Sequence, residues 1–184
     1  MHTVYLSLGS NLGDRRALLE QAIHLLGLRV GVVEATSSFI ETEPWGFESE
    51  HPFLNAAICL STTLTPFELL LTTQQIEREM GRTTKSTPAT VPGAATASAP
   101  ATVPVGSPTG CSPSIPRYHD RPIDIDILLY GEQPSTPTST EGFESIHLHG
   151  LYAVDGTVLS ITIPHPLMHE RDFVMIPLRQ ILPN

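Results

Sequence analysis

Two carboxylates stand two residues apart in the run Arg121-Pro122-Ile123-Asp124-Ile125-Asp126-Ile127-Leu128-Leu129-Tyr130. The branched and apolar residues around them mark a β-strand. Side chains alternate faces along a strand, so Asp124 and Asp126 share one face while Ile123, Ile125 and Ile127 share the other. At a rise of about 3.3 Å per residue the two acids start about 6.6 Å apart. Paired divalent ions at phosphoryl-transfer sites sit about 3.5–4 Å apart, and Mg–O bonds are about 2.0–2.1 Å. Two such side chains can therefore bracket a pair of cations. Without cations the two charges repel by about 2–3 kcal/mol at an effective dielectric of about 20. A strand that only had to fold would carry Val or Thr there. The alternative is an exposed strand face whose acids are merely solvated.

The groups that could complete such a site are Arg82, Arg121, Arg171 and His165, with Gln74 and Glu77. Four of these six are cationic or can be, in a chain with only 10 Lys and Arg. Arginine binds phosphate oxygens bidentately. An acid pair for Mg²⁺ with arginines for phosphates points to phosphoryl or nucleotidyl transfer. No Gly-x-x-x-x-Gly-Lys-Ser/Thr loop and no Gly-x-Gly-x-x-Gly is present, so P-loop and Rossmann nucleotide modes are unsupported. By that criterion Gly9-Ser10-Asn11-Leu12-Gly13-Asp14 is only a turn. The 8 histidines raise zinc. His147 and His149 share a strand face and His165 and His169 are four apart, but no cysteine or third histidine falls at ligand spacing, which disfavours it. Trp45 sits in a Pro-Gly loop. Such a ring is either ordinary packing or a surface for a ligand.

The elements that must position these residues follow from periodicity. Val4, Leu6 and Leu8 alternate with Tyr5 and Ser7 as a first strand. Leu18, Leu19, Ala22, Ile23, Leu25 and Leu26 follow at helical spacing, and Gly27 is expected to end that helix. Val30 to Thr42 reads as extended, Glu43 to Pro52 as a loop, and Phe53 to Thr63 as a strand pairing back on it. Thr65-Pro66-Phe67-Glu68 opens a second helix with an N-cap hydroxyl, a first-turn proline and a capping-box acid. Leu69, Leu70, Thr73, Ile76 and Met80 carry its buried stripe, and Gly81 suits its end. Gln74 and Glu77 share one face. Ser86 to Pro116 holds 7 of the 17 prolines and no charged or aromatic residue, which predicts a mobile loop. A linker between domains is disfavoured, because the strands on both sides suit one sheet. Trimming such a loop should barely change stability, since each doubling of loop length costs only about 0.6 kcal/mol. Gln133 to Ser145 is a second polar loop, and Asp155-Gly156 turns a hairpin between Ile146–Val154 and Thr157–Ile163. Pro164-His165-Pro166 then leads to an apolar end, Val174 to Leu178. The order β-α-β-β-α-β predicts an α+β fold, an antiparallel sheet with helices on one face, as one domain over residues 1–184.

Bulk properties narrow the function. The chain has 184 residues, 40% hydrophobic, with a net charge of −9. That balance argues against nucleic acid as a partner, which needs a basic face. ATP is not excluded, because Mg²⁺ and local arginines reverse the local sign. Cys59 lies in an apolar strand and Cys111 in the proline-rich stretch, so no disulfide framework is implied. The N-terminus already reads as strand, and no apolar run is long enough to span a bilayer. The expected location is cytoplasmic, without membrane association.

At this point the segments resemble one family, 6-hydroxymethyl-7,8-dihydropterin pyrophosphokinase of the folate pathway. The stretches are Tyr5 to Gly13, Ser37-Ser38-Phe39, Thr42 to Gly46, Phe53 to Ala57, Gln74, Glu77, Gly81-Arg82, Arg121 to Gly131, Pro164-His165 and Arg171 to Phe173. They cover nearly the whole chain outside the two loops, in the family's order. The resemblance implies a ferredoxin-like fold and transfer of the β,γ-diphosphate of ATP to the pterin hydroxymethyl, releasing AMP. It implies two Mg²⁺ on Asp124 and Asp126, and catalytic roles for these two with Arg82 and Arg121. It places Gln74, Glu77, Arg82, Arg121, Ile127, Thr162, His165 and Arg171 at ATP. Thr42, Pro44, Trp45, Phe53, Asn55 and Phe173 fall at the pterin, with rings sandwiching the heterocycle and Asn55 reading its amide edge. Other folate enzymes are conceivable partners. Departures from the family pattern are the expanded loop after Arg82, Thr84 where a basic residue is usual, and Tyr118 where a tryptophan is usual. His119-Asp120 replace Gly-Pro, Trp45 replaces Leu, and the end soon after Leu178 is early.

Two other readings stay open on sequence. One is a different Mg-dependent nucleotidyl or glycosyl transferase using Asp-x-Asp, which would release pyrophosphate or a nucleoside diphosphate. The other is a catalytically weak pterin- or nucleotide-binding module.

Overall fold

The computed structural model describes residues 1–82, 119–132, 145–152 and 158–183. Along the chain run β1 (His2–Ser10), α1 (Arg15–Arg29), β2 (Gly31–Thr36), β3 (Ile40–Thr42), β4 (Phe53–Thr62) and α2 (Pro66–Glu79). Then come β5 (Asp124–Gly131), β6 (Ile146–Tyr152), β7 (Val158–Ile163), a 3₁₀ turn (Met168–Glu170) and α3 (Asp172–Ile181). The main sheet has the order β2-β4-β1-β5, with β3 also paired to β4, and every pairing is antiparallel. β6 and β7 form a separate antiparallel pair. The strands before and after the proline-rich stretch thus flank β1 in one sheet, as expected. That stretch, the turn at Asp155-Gly156, Cys111, Thr84 and Tyr118 lie outside the described residues.

Local chemistry sets the helix ends. Asp14 caps α1 by accepting the Ala17 N–H at 3.0 Å. The capping box at α2 forms as expected: the Glu68 carboxylate accepts the Thr65 N–H at 2.8 Å, and the Thr65 hydroxyl accepts the Glu68 N–H at 3.3 Å. Gly81 follows α2 with φ +95°, a conformation that glycine adopts without strain. Gly27 does not end α1, which continues to Arg29. Its bare Cα instead faces Val33, and an added Cβ would lie 3.5 Å from Val33 Cγ2. The expected single extended run from Val30 to Thr42 is two strands. Ser37 lies between them and carries the bonding across, its N–H donating to Ala57 O and its Oγ accepting the Ala57 N–H, both at 2.9 Å.

The helices lie on both faces of the sheet, not on one. Val4, Leu6, Leu8, Ile58, Leu60, Ile123, Ile125 and Ile127 form one core with Leu19 and Leu26 of α1 and Leu69 and Ile76 of α2. Tyr5, Ala57, Cys59, Leu128 and Leu129 face the other way and pack on Met168 and on Val174 and Leu178 of α3. A β-bulge in β5 makes this second core possible. Tyr5 pairs with Leu129 and Leu6 with Ile127, so Leu128 is the extra residue. Leu128 and Leu129 therefore both face α3, and Tyr130 returns to the first core. Asp124 and Asp126, before the bulge, lie on α3's face at the end of the sheet.

Candidate functional site

The sequence candidates Glu77, Arg82, Asp124 and Arg121 meet in one ion cluster. Arg82 stands just past α2, and its Nη1 donates to both Glu77 Oε1 and Asp124 Oδ1. Arg121 Nη2 reaches the other carboxylate oxygen, Asp124 Oδ2, at 2.8 Å. Glu77 Oε1 also accepts the Ile125 N–H at 2.8 Å. β5 is the edge strand, so Glu77 satisfies an edge donor there and ties α2 to the strand that bears the acids. The Glu77 and Arg82 side chains are nearly fully buried, while those of Asp124 and Arg121 are 16% and 15% exposed. Two carboxylates balance two guanidiniums. Burial works against the charge on Arg82, but the carboxylates of Asp124 and Glu77 more than offset this and raise its pKa above the usual arginine value.

A second group adjoins the first across β1. Gly9 pairs with Asp124 on one side and Asn55 on the other, and Ser7 pairs with Asp126 and Ala57. A Cβ on Gly9 would lie 3.0 Å from Asn55 Oδ1, 3.6 Å from Phe53 Cδ1 and 4.0 Å from Asp124 Cβ. The glycine therefore leaves a bare floor between the acid pair and the Phe53–Asn55 wall. Asn55 Nδ2 donates to Thr42 Oγ1 at 2.8 Å, which aims Oδ1 over Gly9. The Arg121 guanidinium carbon sits 5.2 Å from the Phe53 ring centroid, joining the two groups. Phe47 meets Phe53 edge-on at 6.2 Å.

A third group lies where the chain enters α3. The Arg171 guanidinium carbon is 4.8 Å from the Trp45 ring centroid and 5.7 Å from that of Phe173. The two rings are 6.3 Å apart, tilted by 56°. Arg171 is buried, whereas Trp45 is 40% exposed. Pro44, beside Trp45, is half-buried. His165 is tied to β5, its N–H donating to Leu128 O at 3.1 Å. Its Nδ1 accepts the Leu167 N–H at 3.3 Å, so a neutral ring carries its proton on Nε2. Gln74 is half-buried one turn before Glu77 on α2, and Thr162 is half-buried on β7. The Ile127 side chain belongs to the first core, on the sheet face away from Asp124 and Asp126, so only its backbone can face a ligand there.

Asn11 is a residue that reasoning from types and spacing passed over as part of a turn. It is buried and spans three segments. Its Oδ1 accepts the Arg121 N–H at 2.8 Å, and its own N–H donates to Arg121 O at 3.2 Å. Its Nδ2 donates to Asp120 Oδ1 at 2.6 Å and to His51 O at 3.3 Å. Asn11 thus fixes the backbone of Arg121 and the end of the 43–52 loop. Only the matched stretch Tyr5 to Gly13 signalled it. Hydrogen bonds, first from Ser49 and then from Asn11, hold the Asp120 carboxyl below its usual pKa. Arg15 braces the same loop, donating to Pro52 O at 2.8 Å.

Comparisons with known proteins identify the family. The sequence model of the family described as 7,8-dihydro-6-hydroxymethylpterin-pyrophosphokinase (HPPK) matches residues 5–92 and 111–183. A 2-amino-4-hydroxy-6-hydroxymethyldihydropteridine pyrophosphokinase of Porphyromonas gingivalis is 42% identical over 183 residues, covering 100% of this chain and 92% of the relative. The enzyme of that name from Bacillus subtilis is 35% identical over 178 residues, covering 96% of this chain and 76% of the relative. Among solved structures, wild-type HPPK-DHPS of Plasmodium falciparum superposes with a TM-score of 0.63 at 14% identity, over 99% of this chain and 41% of that one. At that identity the likeness speaks for the fold, and the chain spans under half the length of that protein. The family match over most of the sequence, with relatives this similar along their length, shows that the chain belongs to the HPPK family.

Proposed function

We propose that the chain transfers the β,γ-diphosphate of ATP to the hydroxymethyl group of 6-hydroxymethyl-7,8-dihydropterin and releases AMP, a step of folate biosynthesis. The observation that carries this reading is the bare Gly9 floor, with the Asp124–Asp126 face and the two arginines on Asp124 on one side and an aromatic–amide wall on the other. In the reaction the hydroxymethyl oxygen bonds to the β-phosphorus as the bridge to the α-phosphorus breaks, and that electron pair leaves with AMP. Arg82, Arg121 and Arg171 hold phosphate oxygens, with Gln74, Thr162, His165 and the backbone at Ile127 around the nucleotide. Phe53 and Phe173 stack on the heterocycle, Asn55 Oδ1 accepts from its amide edge, and Thr42, Pro44 and Trp45 wall the pocket. Asp126 orients the attacking hydroxyl and takes its proton.

Asp124 and Asp126 fit magnesium as hard oxygen donors on one strand face beside the bare Gly9 floor, where a cation would share the Asp124 carboxylate with Arg82 and Arg121. Among the described residues no group of three His, Cys, Asp or Glu is placed to hold a metal, so phosphate oxygens and water would fill the remaining positions. Two ions held there would orient the triphosphate and draw charge off the transferring group. The fold belongs with the ferredoxin-like arrangement, which the strand order β2-β4-β1-β5 and the β-α-β-β-α-β succession support. A single domain over residues 1–184 and a cytoplasmic location complete the proposal. No helix among the described residues is long and apolar enough to cross a membrane.

One assay with ATP, Mg²⁺ and hydroxymethyl-dihydropterin tests it. AMP should form only when the pterin is present. Release of pyrophosphate or a nucleoside diphosphate would instead mark a different Asp-x-Asp transferase, and binding of both ligands without AMP would mark a binding module.

A further inference from the structure

Arg171 is assigned to phosphate, yet its guanidinium lies among the rings assigned to the heterocycle. It stands 4.8 Å from the Trp45 centroid and 5.7 Å from the Phe173 centroid. A guanidinium over a ring face is held by the ring quadrupole, most strongly by indole. Arg171 is 6% exposed and Trp45 40%, so the cation is buried while the indole beside it meets solvent. Trp45 belongs to the 43–52 loop, whose far end is tied down by Asn11 at His51 O and by Arg15 at Pro52 O. The near end, at Trp45, rests on Arg171. The charge on Arg171 therefore holds one arm of the loop that walls the pterin side.

We propose that Trp45 is a positioning residue for Arg171. In the nucleotide-free enzyme the indole and Phe173 hold the guanidinium among the rings. A bound triphosphate draws Arg171 to its oxygens, which frees the indole and clears the adjoining face of Phe173 for the heterocycle. This rests on the nucleotide–pterin reading given above and deepens it. Phosphate and indole compete for one cation, so the contact weakens nucleotide binding while it lasts. By linkage, whatever affinity nucleotide lends to pterin through this contact, pterin returns to nucleotide.

The chain has 1 tryptophan, so its emission reports this contact directly. The full chain is titrated with Mg²⁺ and an ATP analogue whose α–β bridge is a methylene, without pterin, while calorimetry records binding. Trp45 emission should change saturably, in step with the heat. The Arg171→Met chain should show an altered emission before any nucleotide is added and little further change after it. Because Trp45 is exposed, Trp45→Leu offers a variant that spares the core. It should bind the analogue about two- to five-fold more tightly, the equivalent of one exposed cation–π contact, with Trp45→Phe in between. Binding heat with unchanged emission, or equal affinities in wild type and Trp45→Leu, would overturn this proposal alone. Failure to bind the analogue at all would overturn the nucleotide reading and this proposal with it.

Discussion

At the scale of residues, Asp124 and Asp126 differ although their spacing makes them look equivalent. Asp124 binds two arginines, one on each oxygen. Removing it takes one ion-pair partner from Arg121 and leaves Arg82 paired to Glu77. Asp124→Ala should therefore lose AMP formation and also about 3 kcal/mol of stability, at the low end for a broken buried pair because the group is partly exposed. Asp126→Ala should lose AMP formation with stability nearly unchanged. Urea unfolding beside the AMP assay checks both, and equal stability losses would contradict the difference. Glu77 is the corresponding case on α2. Its carboxylate holds Arg82 and satisfies the Ile125 N–H together. Glu77→Gln keeps an acceptor for that N–H and should be less damaging to stability than Glu77→Ala, which takes the acceptor from the Ile125 N–H and one of two carboxylates from Arg82, at a cost of about 3 kcal/mol. Indistinguishable unfolding midpoints would show that Glu77 is no strut.

At the scale of elements, the site depends on α2 ending and β5 beginning in register. The Thr65–Glu68 box fixes where α2 starts. Thr65→Ala should cost about 1 kcal/mol, measured by thermal or urea unfolding, with little effect on turnover because the cap lies at the other end of the helix from Arg82. Gly31 meets a harder limit. A Cβ there would lie 2.0 Å from the backbone oxygen of Ser61. A backbone atom cannot swing aside as a side chain can, so the start of β2 must shift. Gly31→Ala should cost about 1–3 kcal/mol, and an unchanged melting temperature would count against the tight pairing of β2 on β4.

At the scale of the whole molecule, two sheet faces are sealed by different helices, and Asp124 and Asp126 stand at the end of the α3 face. Acid should loosen this assembly through identifiable carboxylates. Hydrogen bonds, first from Ser49, lower the Asp120 pKa below 3.8, and those from Thr65 lower that of Glu68 below 4.5. A lowered folded pKa means stability that is complete above the unfolded value and lost as pH falls through the folded one. Thermal melts should thus fall as pH drops below about 4. Asp120→Asn keeps an acceptor oxygen but cannot titrate, so its melting temperature should depend less steeply on pH in that window. A pH profile parallel to wild type would remove Asp120 from the account.

The sequence by itself determined a good deal of this. Alternation marked β1, β4 and β5, the capping box marked α2, and the two-residue spacing put Asp124 and Asp126 on one face, because each is a local consequence of backbone geometry. The matched segments named the family, and with it Arg82, Arg121, Asn55 and Phe53. Tertiary structure decided the rest. α3 was unread because Pro177 interrupts its pattern, and only packing on Leu128 and Leu129 establishes it on the second face. Gly27 carries on inside α1 because β2 passes close to it. Glu77 became a strut, Asn11 a clamp and Arg171 a neighbour of Trp45 through partners 40 or more residues away in sequence. Periodicity records which way a side chain points from its own element. What meets it there is set by how distant elements pack, and no local pattern carries that.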